Sequence, residues 1–169
     1  MIELSFDDFH EQNYEDKGFC LYLLKNELGD VLYIGISTVS VWSRWFGWGG
    51  HMTWDGKVIY GETSVGEKVE NHLPDSLNWK IQLWTLKDCL VFCEQEITDP
   101  KFNMMAGEYN DVVREIEPRM IKKLSPALNR QLNLSPGRDT TPRSKREIER
   151  EKLLDKAYDE NFNKKDRKT

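Results

Sequence analysis

The chain has 169 residues, which is enough for one domain with its own hydrophobic core and a tail. No apolar run approaches the roughly 18 residues that a membrane span needs, so no membrane partner is expected. The net charge of −5 argues against a protein that coats DNA nonspecifically, and three scattered cysteines favour a reducing cytoplasm over a disulfide framework.

Charge is distributed unevenly between the two ends of the chain. Residues 1–17 carry six acidic residues and one basic residue, and they either form a short lead-in or pack on the domain edge. Residues 135–169 form a C-terminal extension with eleven basic and eight acidic residues. A linker at 135–143 precedes a charged helix at 144–168, whose thin apolar stripe would dock on a partner or leave the helix frayed. The positive extension would assist DNA binding.

The N-terminal half predicts two strands and a helix. Residues 19–25 and 31–36 are apolar segments of strand length, and the segment 26–30 between them has the composition of a tight turn. Serine and threonine caps then precede a short helix that carries Arg44 beside an apolar face. Three glycines end this helix and open an insertion at about residues 50–78, where loops predominate.

The C-terminal half predicts a further strand and the longest amphipathic helix. A short helix is expected near residues 65–71 inside the insertion. Residues 78–86 alternate in polarity, which is typical of a third strand, and residues 89–93 would continue it or start another. Residues 109–124 follow the 3.6-residue period of a helix, which Pro118 should kink or restart.

Two short motifs on the predicted strands carry a resemblance to a known family. Cys20-Leu21-Tyr22 lies on the first strand and Tyr33-Ile34-Gly35 lies on the second. Arg44 follows on the helix, and Glu117 precedes Asn129 by twelve residues. In order and spacing these residues resemble the GIY-YIG nuclease family, although Cys-Leu stands in place of Gly-Ile in the first motif.

The resemblance implies a fold, a reaction and a set of residues. The implied fold is an α+β domain over residues 18–134, with a three-stranded antiparallel sheet flanked by helices. The implied reaction is hydrolysis of a DNA phosphodiester with one divalent cation, Mg²⁺ or Mn²⁺. The implied catalytic residues are Tyr22, Tyr33, Arg44, His51, Glu117 and Asn129.

Each residue has a role that the resemblance implies. Glu117 would bind the metal ion through oxygen. Arg44 would stabilise the negative charge that develops on the phosphate. Tyr22 would deprotonate or orient the attacking water, while Tyr33 would orient its neighbours by hydrogen bonding. Asn129 closes the C-terminal motif.

Several positions admit other interpretations. Trp48 stands where many members have His or Tyr, so His51 takes over that role or no residue does. Trp48 is also an open position at which an indole could stack on bases. Glu115 is an alternative to Glu117 as the metal-binding acid. The spacing to Asn129 favours Glu117. The Asn129 side chain could instead cap the turn before it.

The resemblance implies a metal-dependent DNA endonuclease, with DNA as the partner, and the scattered cysteines favour the cytoplasm. Cutting both strands would take a homodimer or two successive nicks. The alternative is a domain of the same fold that has lost catalysis and binds nucleic acid or protein, and a third possibility is an interaction protein with an unrelated α+β fold. A zinc site built from Cys89, Cys93, His51 and His72 is a weaker alternative, because its spacing is irregular.

Overall fold

A computed structural model describes residues 1–12, 18–54, 59–93, 106–129, 136–137 and 139–165, with backbone alone for 106–111 and 157–165. The strands are β1 (Ile2–Ser5), β2 (Phe19–Lys25), β3 (Val31–Ile36), β4 (Met52–Trp54), β5 (Ile59–Gly61) and β6 (Lys80–Thr85). The helices are α1 (Phe6–Glu11), α2 (Val41–Phe46), α3 (Ser64–Asn71), α4 (Leu86–Phe92), α5 (Ala106–Leu124) and α6 (Lys145–Lys165), with a 3-10 turn at Asp75–Asn78.

The main sheet has four antiparallel strands in the order β1-β6-β2-β3. The α+β class is therefore confirmed, but the three-stranded sheet expected from the sequence gains a fourth strand. That strand, β1, pairs Ile2 with Leu83 and Ser5 with Lys80. Its four residues are too short for a reliable alternating pattern, so the pairing comes from tertiary contact.

The acidic N-terminal segment packs on the domain. Ser5 caps α1 by accepting a hydrogen bond from the Asp8 backbone N–H. Phe6 and Phe9 on this helix are fully buried. The Phe6 ring lies 5.0 Å from the Trp45 ring in an edge-on contact, which fixes the N-terminal segment against α2.

The insertion has more order than its sequence suggests. The short helix expected there is present as α3, and β4 and β5 form a two-stranded hairpin that was not predicted. The expectation of a strand at residues 89–93 is wrong, because α4 covers most of that segment. Thr85 and Asp88 form a reciprocal capping box at its start, and this T-x-x-D signal was available in the sequence.

The main sheet separates two apolar clusters. One face carries Tyr22 and Leu24 and packs on α1, α2 and α3, while the other carries Leu21 and Leu23 and packs on α4 and α5. α5 continues through Pro118 as one helix rather than restarting there. Burial of its apolar face against the second cluster compensates for the hydrogen bond that proline cannot donate.

The C-terminal extension docks on α3 through ion pairs. The Lys68 ammonium lies 3.0 Å from Asp139 and 3.2 Å from Glu147, and its side chain is only 13% exposed. Arg146 and Arg150 pair with the acidic residues of α3 at 3.5 and 3.6 Å. These basic side chains are therefore engaged within the chain. No helix in the described residues is long and apolar enough to cross a membrane.

Lys68→Ala should loosen this docking, because it leaves two partly buried carboxylates without their shared cation. We expect a loss of about 1–2 kcal/mol in docking free energy. Limited proteolysis of residues 139–150 should then be roughly tenfold faster. Arg150→Ala is the matched control, since its pair is exposed, and it should change the rate little. Equal rates for the two variants would contradict the assignment.

Candidate active site

Two tyrosines share one face of the sheet at its centre. Tyr22 on β2 pairs with Gly35 on β3, and Leu24 pairs with Tyr33. Because paired residues of antiparallel strands point to the same face, the two tyrosines are diagonal neighbours. Their ring centroids lie 6.2 Å apart. The hairpin register thus brings together the two tyrosines that the sequence motifs identified.

Gly35 leaves the space that the Tyr22 ring occupies. A Cβ atom at position 35 would lie 2.3 Å from the Tyr22 hydroxyl oxygen and 2.9 Å from the Tyr33 ring. Real Cβ atoms essentially never approach that closely. Glycine is therefore needed at position 35 because the Tyr22 ring lies so close, and not because the backbone adopts a conformation that only glycine tolerates.

His51 reaches the tyrosines through the glycine-rich loop after α2. Its backbone N–H donates to the Arg44 carbonyl at 3.0 Å, which turns the loop back over the helix. Its Nε2 lies 2.6 Å from the Tyr22 hydroxyl oxygen. Trp48 is instead fully exposed at 108%. His51 therefore contacts the tyrosine pair, and Trp48 does not.

Thr63 completes this arrangement, and sequence reasoning missed it. Its Oγ1 lies 2.9 Å from His51 Nδ1 and also accepts a hydrogen bond from the Gly66 N–H as the cap of α3. A Cβ at position 66 would lie 1.9 Å from the His51 carbonyl oxygen, so glycine permits α3 to pack here. The threonine before a predicted helix was a visible capping signal, but nothing in the sequence linked it to His51.

His51 is held neutral and hydrogen-bonds through both ring nitrogens. Burial, and then the positive charge of Arg44, lower the pKa of His51 to about 3. A neutral imidazole carries one N–H, so one ring nitrogen donates and the other accepts. The hydroxyls of Tyr22 and Thr63 can each take either role, and together they fix the orientation of the ring. The charge of Arg44 also opposes the rise in the pKa of Tyr22, so the guanidinium lies near the Tyr22 hydroxyl.

Both tyrosines are biased toward the neutral phenol. Burial raises the pKa of Tyr22 well above its usual value, with the Tyr33 charge adding to the effect. Burial and the charge of Glu117 raise the pKa of Tyr33, while Arg44 acts in the opposite direction. Neither tyrosine is therefore poised to lose a proton near neutral pH.

The two tyrosines differ in access to solvent. Tyr22 is 0% exposed, whereas Tyr33 is only partly buried. The role that the resemblance implies for Tyr22, contact with the attacking water, does not fit a fully enclosed hydroxyl. Tyr33 is the more accessible of the two, while Tyr22 contacts His51 from within the core.

Glu117 is the acid that the structure brings to the tyrosines. It is half-buried on α5, and burial raises its pKa while Arg44 lowers it. Its charge influences both tyrosines. Glu115 is exposed two positions away and belongs to a different side of the helix. The choice of Glu117 over Glu115 therefore agrees with the electrostatics.

Asn129 acts on the backbone of β3. Its Oδ1 accepts from the Ile34 N–H at 2.8 Å, and its Nδ2 donates to the Ile34 carbonyl at 2.7 Å. The backbone N–H groups of Ala127 and Leu128 likewise donate to the carbonyls of Val31 and Leu32. Asn129 thus holds the strand that carries Tyr33, and its amide faces the main chain.

Among the described residues no group of three His, Cys, Asp or Glu side chains is arranged to hold a metal ion, which includes the zinc set considered above. Mg²⁺ commonly keeps several waters and binds through one or two carboxylates with substrate phosphates. Glu117 offers one carboxylate near both tyrosines, and the charge of Arg44 favours its ionised form while burial opposes it.

Comparisons with known proteins identify no relative. No family model matches the chain, and no curated protein or solved structure matches it. The resemblance to the GIY-YIG family consequently stays a prediction from the motifs. The functional interpretation depends on the geometry of the side chains described above.

Gly35→Ala should displace the Tyr22 ring, because the added methyl group and the hydroxyl cannot occupy the same space. We expect a loss of about 1–3 kcal/mol in the free energy of unfolding. Urea unfolding measures this loss. Gly29→Ala tests a position with open space, where only the positive φ opposes a side chain. Unchanged stability of Gly35→Ala would contradict the close approach.

Stability should fall as the pH falls below the ordinary histidine pKa. Between about pH 6.5 and pH 3 the unfolded chain binds a proton at His51 that the folded chain does not. This contributes a slope of up to about 1.4 kcal/mol per pH unit. His51→Gln should flatten the slope, whereas His10→Gln, at a half-buried position, should flatten it less. Equal slopes for wild type and His51→Gln would refute the buried neutral imidazole.

Proposed function

We propose that this chain is a metal-dependent DNA endonuclease of the GIY-YIG type. The observation that carries the proposal is the convergence of these residues: Tyr22 is hydrogen-bonded to His51, and Tyr33, Arg44 and Glu117 lie close enough to act on the pKa of Tyr22. A positive charge beside a carboxylate and a partly exposed phenol suits a reaction that develops negative charge on a phosphate.

Arg44 provides a positive charge near both tyrosines. Guanidinium has five donors in a fixed fork, and they are available to a phosphate oxygen. In the proposed mechanism Tyr22, which His51 holds in place, orients this guanidinium. Orientation before the substrate binds lowers the cost of orientation during the reaction.

Tyr33 is placed to orient the attacking water. Its partly exposed hydroxyl can accept a hydrogen bond from water while it remains a neutral phenol. The water oxygen forms a bond to phosphorus, one P–O ester bond breaks, and the departing oxygen takes up a proton. The net change is the addition of water across that ester bond.

Glu117 is the residue that would hold Mg²⁺ or Mn²⁺. When bound, such a cation supplies charge stabilisation at the phosphate and lowers the pKa of its own water. Glu117 lies on α5, close enough to Arg44 on α2 for the arginine charge to act on its pKa. With one such set of residues in each chain, cutting both strands of a duplex requires a homodimer or two successive nicks.

Glu117→Gln should abolish cleavage of DNA in Mg²⁺, because it removes the carboxylate charge at nearly constant volume. We expect a fall of at least a hundredfold in the single-turnover rate, measured on labelled duplex, nicked and branched DNA. Glu115→Gln is the matched control on the same helix and should keep the wild-type rate.

Cleavage that survives Glu117→Gln would contradict the proposed mechanism. Binding of DNA by the wild-type chain with no cleavage in either Mg²⁺ or Mn²⁺ would favour the alternative, a binding module of the same fold. The enclosed Tyr22 hydroxyl does not discriminate between a nuclease and a binding module, because a tyrosine that only orients its neighbours is compatible with either function.

A further inference from the structure

A cavity of about 440 Å³ adjoins Arg44 and is lined by the segment before α2, by α2 itself and by the glycine-rich loop after it. Its wall includes Arg44 and Arg114, four hydroxyl side chains between positions 37 and 43, and the indole of Trp48. Arg44 is thus shared between the proposed catalytic site and this cavity. A molecule bound in the cavity would lie directly beside the reacting phosphate.

The polar groups of the cavity suit a phosphate. None of the described carboxylates forms an ion pair with Arg44 or Arg114. The hydroxyls of Thr38 and Ser43 line the same cavity and can donate to phosphate oxygens. Arginine and serine or threonine are the side chains that most often position a nucleic-acid backbone. The cavity is therefore suited to an anion that has several acceptor oxygens.

The apolar groups at the same cavity suit a base. Trp48 is 108% exposed and Val39 is 85% exposed, and both line the cavity. Trp48 lies just after α2, whereas the two tryptophans of that helix are covered: Trp45 is fully buried and Trp42 is half-buried. Stacking on another flat ring removes an exposed indole face from water. Bases of any nucleotide sequence can stack on tryptophan in this way.

We propose that this cavity binds the nucleotide next to the cut, with Arg114 on its phosphate and Trp48 stacked on its unpaired base. The inference rests on the proposed nuclease function and names its substrate class. A base inside a duplex offers no free face to an indole. The chain therefore prefers DNA with an unpaired base at the cleavage position, such as a flap or a branch, over continuous duplex.

Binding in Ca²⁺ tests the preference separately from cleavage. Fluorescence anisotropy would compare a continuous duplex with the same duplex carrying a single-stranded flap. Wild type should bind the flap about tenfold more tightly, and Trp48→Ala should remove that difference while leaving duplex affinity unchanged. Trp48→Phe keeps an aromatic face and should retain most of the preference. Circular dichroism confirms folding, which an exposed side chain should not affect.

Arg114→Ala distinguishes the phosphate contact from the stacking contact. It should weaken binding of both DNAs by a similar factor, about fivefold, and reduce the dependence of log affinity on log salt by about one. Lys122→Ala, an exposed basic residue elsewhere on α5, serves as the control and should have a smaller effect.

The two proposals fail differently. If the flap preference depends on Trp48 but no DNA is cut, the recognition site stands and the nuclease function is overturned. If DNA is cut through Glu117 while Trp48→Ala leaves the preference unchanged, the nuclease function stands and this cavity assignment is overturned. Equal affinity of the wild type for flap and duplex also overturns the assignment, and failure to bind any DNA overturns both.

Discussion

The hydrogen bond between the Tyr22 hydroxyl and His51 Nε2, 2.6 Å long and enclosed within the core, is the constraint on which the site depends. It exists because Gly35 leaves room for the Tyr22 ring opposite it on β3. It also joins two parts of the chain, since His51 belongs to the insertion and Tyr22 to the central strand. A buried polar pair of this kind stabilises only if its groups are satisfied, and Thr63 provides the contact for the second ring nitrogen of His51.

The insertion thereby becomes part of the site instead of an appended loop. Thr63 begins α3 and contacts His51, and α3 in turn carries Lys68, to which the C-terminal extension is paired. A contiguous set of contacts therefore runs from the extension to the buried imidazole. The basic residues of α6 that could have met DNA are partly engaged with the acidic residues of α3.

Short-range patterns predicted much of this arrangement. The register of one hairpin, set by a five-residue turn, placed Tyr22 and Tyr33 on one face, and apolar periodicity located the helix that carries Glu117. What sequence reasoning missed depends on long-range contacts. β1 forms only by pairing with β6, 75 or more residues away, and Thr63 meets His51 only because Gly66 lets a helix approach a carbonyl. The difference in solvent access between Tyr22 and Tyr33 depends on how the core packs, and no short sequence pattern indicates it.

The most direct measurement is a double-mutant cycle on single-turnover DNA cleavage with Tyr22→Phe and Arg44→Ala. If Tyr22 acts by orienting Arg44, Tyr22→Phe alone should slow cleavage about tenfold to a hundredfold, and Arg44→Ala alone should slow it more. The double variant should then be no slower than Arg44→Ala, because the orienting hydroxyl has nothing left to orient. Additive losses would contradict the positioning role, and a wild-type chain that cuts no DNA would contradict the assigned function.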